Sequence, residues 1–192
     1  MNQKNLHIKN MVCNRCIKVV REELEKLGYE VIKIQLGDVL IGSNRRGINL
    51  DEIKSTMEKN GFELIDNRKA KIVERIKILI INFIHHNSTK DLTEINLHAE
   101  IEKDLGLSYA YISSLFSSKE GITIEKFIIN QKIEKVKELL IYDELTLSEI
   151  AYKLGYSSVQ HLSNQFKKVS GFTPSYFKKI KSEKRKPIDK VS

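Results

Sequence analysis

Two segments of this chain carry the same pattern, and its spacing admits few folds. "LHAEIEKDLGLSYAYISSLFSSKEG" (97–121) and "LSEIAYKLGYSSVQHLSNQFKKVSG" (147–171) each read as a helix, a tight turn opened by glycine, and a second helix. Gly106 and Gly155 let the chain leave the first helix through a left-handed conformation, and a serine just after the turn can cap the next helix. The turns are Gly106-Leu107-Ser108 and Gly155-Tyr156-Ser157. Between the copies, "EKFIINQKIEKVKELLI" (Glu125–Ile141) reads as one continuous helix, about 25 Å long at 1.5 Å per residue. The two prolines, Pro174 and Pro187, lie after all of this and interrupt none of it.

A helix, a short turn and a second helix form the helix-turn-helix pattern, whose second helix enters the major groove. Two copies on a rigid spacer could read two successive major-groove segments, about 34 Å apart, on one side of a duplex. In the second copy Val159, Leu162, Phe166 and Val169 recur at steps of 3, 4 and 3 and so pack inward. Gln160, His161, Asn164, Gln165 and Lys168 then project outward. Gln and Asn can pair bidentately with adenine, while Lys167 and Lys168 suit phosphates or guanine; for His161 a plain surface position remains an equal alternative. The second helix of the first copy buries Ile112, Leu115 and Phe116 and presents Tyr109, Ala110, Ser113, Ser114 and Ser117, with Lys119 its one charge. That small, nearly neutral surface predicts weaker contacts through hydroxyls or thymine methyls, with most affinity coming from the second copy.

Charge follows the same division. The chain carries 33 Lys+Arg against 25 Asp+Glu, a net +8. Residues 1–68 hold 12 basic against 10 acidic side chains, 69–156 hold 12 against 13, and 157–192 hold 9 against 2. The excess thus gathers at the C-terminal end, as suits a surface or tail that meets polyanionic phosphate.

Residues Ile72–Lys179 resemble the DNA-binding domain of the AraC/XylS family of bacterial transcription regulators. The most specific part is "LTLSEIAYKLGYSSVQHLSNQFKKVSGFTPSYFKK" (145–179), which follows that family's second helix-turn-helix and closing signature. The chain departs from the family pattern at Ile124, where proline is common, at Lys132, where arginine is frequent, and at Asn164, where many members carry arginine. The resemblance implies a regulator rather than an enzyme, with double-stranded DNA as partner. It is compatible with a homodimer and with contact to RNA polymerase.

The first third reads differently. "LHIKN" alternates, "CIKVVREELEKLG" places Ile17, Val20, Leu24 and Leu27 on one helix face stopped by Gly28, and "EVIKIQLGDVLIGS" gives two strands about a Gly37-Asp38 turn. "NLDEIKSTMEKNG" is a second helix capped by Asn49 or Asp51, and "FELI" a last strand. The expected fold class is α+β with two domains: a βαββαβ ferredoxin-like domain over 1–68, then an all-α double helix-turn-helix domain over 69–180. The joint falls at Asp66–Lys71, and a basic tail covers 181–192. The apolar run "KAKIVERIKILIINFIHHN" (69–87) reads as the helix next to that joint and, by position alone, as the element that could carry a signal across it. His85-His86 at its end reads as a solvated pair.

The chain's two cysteines, Cys13 and Cys16, precede the first helix. A helix N-terminus and Arg15 favour thiolates there, and two thiolates at this spacing can approach one soft ion from both sides. The arrangement resembles the heavy-metal-associated domain of copper chaperones and metal-transporting ATPases, with Met11, Cys13 and Cys16 on its Met-x-Cys-x-x-Cys loop and Phe62 near it, although Met11 reads equally as loop packing and Phe62 as core. Asn10 and Val12 replace that family's usual Gly and Thr. The resemblance implies Cu(I), or Zn(II) with further ligands, and a one-component sensor of soft metal or thiol state. Other readings stay open: a domain that only dimerises or binds a different ligand, a metallochaperone, or a thiol oxidoreductase. The start "MNQKNLHIKNMVCNRC" has no apolar leader and "ILIINFI" is too short to span a bilayer, so no membrane partner and a cytoplasmic location are expected.

Overall fold

A computed structural model describes residues 2–43, 47–65, 67–86 and 96–184, the last four without their side chains. The N-terminal elements are β1 (Asn2–Lys9), α1 (Asn14–Lys26), β2 (Glu30–Gln35), β3 (Asp38–Ser43), α2 (Leu50–Lys59) and β4 (Glu63–Leu64). This is the expected β-α-β-β-α-β order, in one antiparallel sheet arranged β2-β3-β1-β4. Leu6 stands opposite Val39, and Ile8 opposite Leu64. The two-residue period of a strand then carries Leu6, Ile8, Val39 and Ile41 into one core with Val20 and Leu24 of α1 and Ile53 and Met57 of α2. Asn49 is the residue that caps α2, its side chain accepting from the N–H groups of Asp51 and Glu52.

Helices follow without further strands among the described residues: α3 (Arg68–Ile81), α4 (Leu97–Leu105), α5 (Tyr109–Glu120), α6 (Ile124–Tyr142), α7 (Leu147–Lys153), α8 (Val159–Ser170) and α9 (Pro174–Lys184). The run expected to be one helix over 69–87 is α-helical only to Ile81. Asn82–His86 widen into a π-helical turn. Asp66 and Asn87, and the expected tail from Arg185 onward, lie outside the described residues.

Two cores hold the helical part. Val73, Ile76, Ile80 and Ile84 meet Ile101 of α4, Ile112 and Phe116 of α5, and Ile124 at the start of α6. Ile133, Val136 and Leu140, farther along α6, meet Ile150 of α7 and Leu162 and Phe166 of α8. The spacer helix is therefore packed into both. Thr123 caps its start by accepting from the Lys126 N–H, and Asp143 ends it at φ 59.

The sheet reaches the helical part through the β2–β3 turn. Gly37 has φ +79, its carbonyl accepts from the Ile8 N–H, and a side chain built there would collide with the tip of buried Ile78 on α3. The left-handed backbone alone costs an L-residue about 1–2 kcal/mol, whereas the Ile78 tip can turn aside. Gly37→Ala should therefore lose about 1–2 kcal/mol in urea unfolding. Adding Ile78→Val should recover only a minor part, and full recovery would show that the collision, not the backbone, sets the cost.

Candidate functional site

The outer face of α8 holds most of the side chains expected to meet DNA. Leu162 and Phe166 point into the core, which leaves Gln160, His161, Asn164, Lys167 and Lys168 exposed. The Gln160 amide donates to Asn164 Oδ1 at 2.8 Å, so the two amides expected to meet bases form one unit. Ser158 caps the helix by accepting from the His161 N–H at 3.1 Å, while Ser157 Oγ lies 3.1 Å from His161 Nδ1 and orients the ring. Gln165 differs from these. It is half-buried, and its Oε1 accepts from the Tyr156 hydroxyl at 2.6 Å. Burial pushes the Tyr156 hydroxyl up to about 12. Lys132 of α6 lies over the same ring, 5.4 Å from its centre, and burial lowers its pKa. The turn of the second copy is thus tied at once to the spacer and to the reading helix.

The preceding helix is fixed just as firmly. Thr146 and Glu149 form a capping box at the start of α7: the Glu149 carboxylate accepts from the Thr146 N–H at 2.7 Å, and Thr146 Oγ1 accepts in return from the Glu149 N–H at 3.3 Å.

On α5 the exposed surface is small. Ala110 and Ser114 are exposed and Ser113 and Ser117 half-buried, on the side away from Ile112, Leu115 and Phe116. Tyr109 is turned inward: its ring stacks on His98 at 4.3 Å and its hydroxyl donates to Glu125 Oε1 at 2.5 Å. Burial first, then that carboxylate, raises the Tyr109 pKa, and the same hydrogen bond lowers that of Glu125. Ser108 begins α5 without a side-chain cap.

At the other end of the molecule Cys13 is the N-cap residue of α1, and its Sγ lies 3.4 Å from that of Cys16. The Cys16 N–H, then the Cys16 thiol and the N–H and charge of Arg15, lower the Cys13 pKa against the opposing effect of burial. Met11 is fully buried in the sheet's core and Phe62 nearly so. The loop therefore presents two sulfurs rather than three. Among the described residues no third His, Cys, Asp or Glu stands with them as a metal-ligating group.

Two residues outside the expected set, Glu74 of α3 and His86 of the π-turn, hold this loop. The Asn10 N–H donates to Glu74 Oε1 at 3.1 Å, and Glu74 is only 7% exposed. His86 Nε2 donates to the Val12 carbonyl at 3.0 Å. Its neighbour His85 turns the other way and donates to Gln131 Oε1 of α6 at 3.0 Å. Burial lowers the His85 pKa. The expectation of a solvated His85-His86 pair is corrected for His85, which is half-buried; His86 is exposed as expected, yet its ring also makes a hydrogen bond, because the π-turn directs the two to different neighbours. A charge at Glu74 inside the apolar run 72–84 was the readable sign of a polar partner there. Nothing in the run announced the π-turn.

Residues 101–180 match the family model described as a helix-turn-helix domain. The xylose operon regulatory protein of Escherichia coli (strain K12) is 34% identical over 183 residues, covering 86% of this chain and 45% of that protein. The uncharacterized HTH-type transcriptional regulator YtdP of Bacillus subtilis (strain 168) is 26% identical over 177 residues, covering 87% of this chain and 22% of that one. The chain spans between about a fifth and a half of the length of these relatives. Among solved structures, the C-terminal domain of AraT, a response regulator from Geobacillus stearothermophilus, has TM-score 0.49 and 24% identity, covering 66% of this chain and 95% of that one. No helix among the described residues is long and apolar enough to cross a membrane. Residues 101–180 therefore form a helix-turn-helix domain of the AraC/XylS type.

Proposed function

We propose that this chain is a sequence-specific DNA-binding transcription regulator whose two reading helices, α5 and α8, address adjacent major-groove segments. The observation that carries the reading is the polar face of α8, where Gln160 and Asn164 stand together and exposed beside Lys167 and Lys168. Amides of this kind specify bases, and lysines hold the phosphates that set register. Tyr156 positions Gln165 at the inner edge of that face. The near-neutral α5 contributes shape and hydroxyl contacts. On a duplex selected from a random pool, Asn164→Ala should relax base preference by about 1–3 kcal/mol at one position. Lys168→Ala should weaken binding to every sequence and reduce the log–log salt slope by about 0.9. Ser113→Ala with Ser114→Ala should cost less than Gln160→Ala alone, and the reverse order would overturn this division of labour.

The cysteine loop suits a sensor. Its donor set fits one soft, low-coordinate ion: two thiol sulfurs 3.4 Å apart at a helix start that stabilises negative charge. Such an ion would be held by Cys13 and Cys16, and its binding would neutralise the thiolates. The same contact favours a second reading, in which a disulfide or peroxide oxidant takes two electrons from the pair, two protons leave, and a Cys13–Cys16 disulfide forms. Iodoacetamide alkylation of Cys13 in a Cys16→Ala variant should show a pH midpoint below the ordinary thiol value of about 8.5, because the N–H of residue 16 survives the substitution. Unfolding in urea should return it to that value. Competition with a Cu(I) chelator should show one Cu(I) per chain or per dimer, lost in Cys13→Ser. Binding that persists in Cys13→Ser would remove the pair from the site.

A further inference from the structure

His85 and His86 are adjacent in sequence, yet they bind different parts of the molecule. His86 donates to the carbonyl of Val12, the residue before Cys13, at 3.0 Å. His85 donates to Gln131 on α6, also at 3.0 Å. Both sit in the π-helical turn Asn82–His86, a form that is rare, usually confined to one turn, and often found at functional positions. The turn is packed into the first helical core by Ile84 and so cannot swing free. The contacts continue beyond it. Lys132, next to Gln131, lies over the Tyr156 ring, and Tyr156 donates to Gln165 on the reading helix α8. An unbroken series of contacts thus leads from the cysteine loop to the surface assigned to DNA.

We propose that the His85–His86 turn is the relay between the cysteine pair and the two reading helices. This rests on the sensor reading of Cys13/Cys16 given above. Closing the pair on a soft ion, or into a disulfide, displaces the loop backbone at Val12. His86 registers the displacement, because its ring nitrogen follows the carbonyl or loses it. The turn then resettles, the His85–Gln131 bond shifts, and α6 moves at the point where its two cores meet. His85 and His86 are positioning residues in this scheme. Neither is a ligand of the pair or part of the DNA-reading face.

Coupling between two binding sites is reciprocal, so DNA must alter Cu(I) affinity by the same factor by which Cu(I) alters DNA affinity. The test uses the full chain with two probes, Cu(I) set by a competing chelator and the disulfide formed with diamide, each with and without a duplex selected by the protein. For the wild type the expected factor is about fivefold or more. His86→Ala and His85→Ala should each bring it to within about twofold of one while Cu(I) affinity without DNA, and DNA affinity without Cu(I), stay close to wild type. His86→Gln, which keeps a donor for the Val12 carbonyl, should restore most of the coupling. A merely structural role would lower both separate affinities and leave the factor unchanged.

The outcomes separate the two claims. Wild-type coupling that survives both alanine variants overturns the relay and leaves the sensor standing. Cu(I) binding or disulfide formation with no effect on DNA affinity overturns the relay and sensing together, while keeping the thiol chemistry. A pair that takes neither Cu(I) nor a disulfide removes the basis of both.

Discussion

Ile124 completes one helical core, Ile133, Val136 and Leu140 complete the next, and all four lie on α6. Each core orients one reading helix, α5 in the first and α8 in the second. The relation between the two reading surfaces is therefore the relation between two stretches of one helix. At 19 residues α6 extends about 28 Å. Close-packed cores resist small displacements within themselves, so the helix that joins them is where their mutual arrangement can change without breaking either.

The contrast with the sheet's attachment is one of magnitude. Each helical core buries a series of aliphatic and aromatic side chains, and each side chain contributes about 1.5–3 kcal/mol. The sheet meets α3 through few residues: Ile78 under Gly37, and the two hydrogen bonds that Glu74 and His86 make with the cysteine loop. The His86 bond contributes about 0.5–1.5 kcal/mol and the bond to the Glu74 carboxylate about 1.5–3 kcal/mol. Beside them lies an open cleft of about 410 Å³ between the sheet and α3, walled by His7, Asp38, Arg68, Lys71, Arg75 and Asp104. The His7–Asp38 contact lies on the sheet's side and the Arg75–Asp104 ion pair on the helical side, while Arg75 also feels the Asp38 carboxylate across the cleft. An attachment this thin, with space next to it, can be shifted by a binding event of a few kcal/mol, whereas the cores cannot.

Much of this arrangement is legible in the residues because it rests on local rules. The apolar steps of α1, α5 and α8, the glycine after α4, the Asn49 cap and the Thr146–Glu149 box all follow from spacing over three or four residues. The outward set on α8 follows from the same periodicity. The illegible parts depend on contacts between residues far apart in the chain. Gln165 has the phase of an exposed residue, but Tyr156 draws it inward. Tyr109 has the phase of a reading residue, but His98 and Glu125 hold it. Met11 lies in a ligand motif, yet the sheet's core takes its side chain. The π-turn sends its two histidines to Val12 and Gln131, and periodicity holds no trace of either contact.

The place where the turn meets the spacer has its own consequence. Gln131 lies three residues past Ile128, which packs with the first core, and between Ile129 and Ile133, which pack with the second. A force applied to α6 near either end would be absorbed by the core around it. Applied at Gln131 it acts at the edge of the second core, beside its junction with the first, and it changes the angle between them. In the bipartite binding proposed above, α5 and α8 engage segments about one helical turn of DNA apart, so a small change of angle separates the two contacts more than it weakens either one. The weaker contact should fail first, and the near-neutral surface of α5 makes that the first copy. A regulator of this design would lose its bipartite footprint before it left the DNA, with α8 still holding its half.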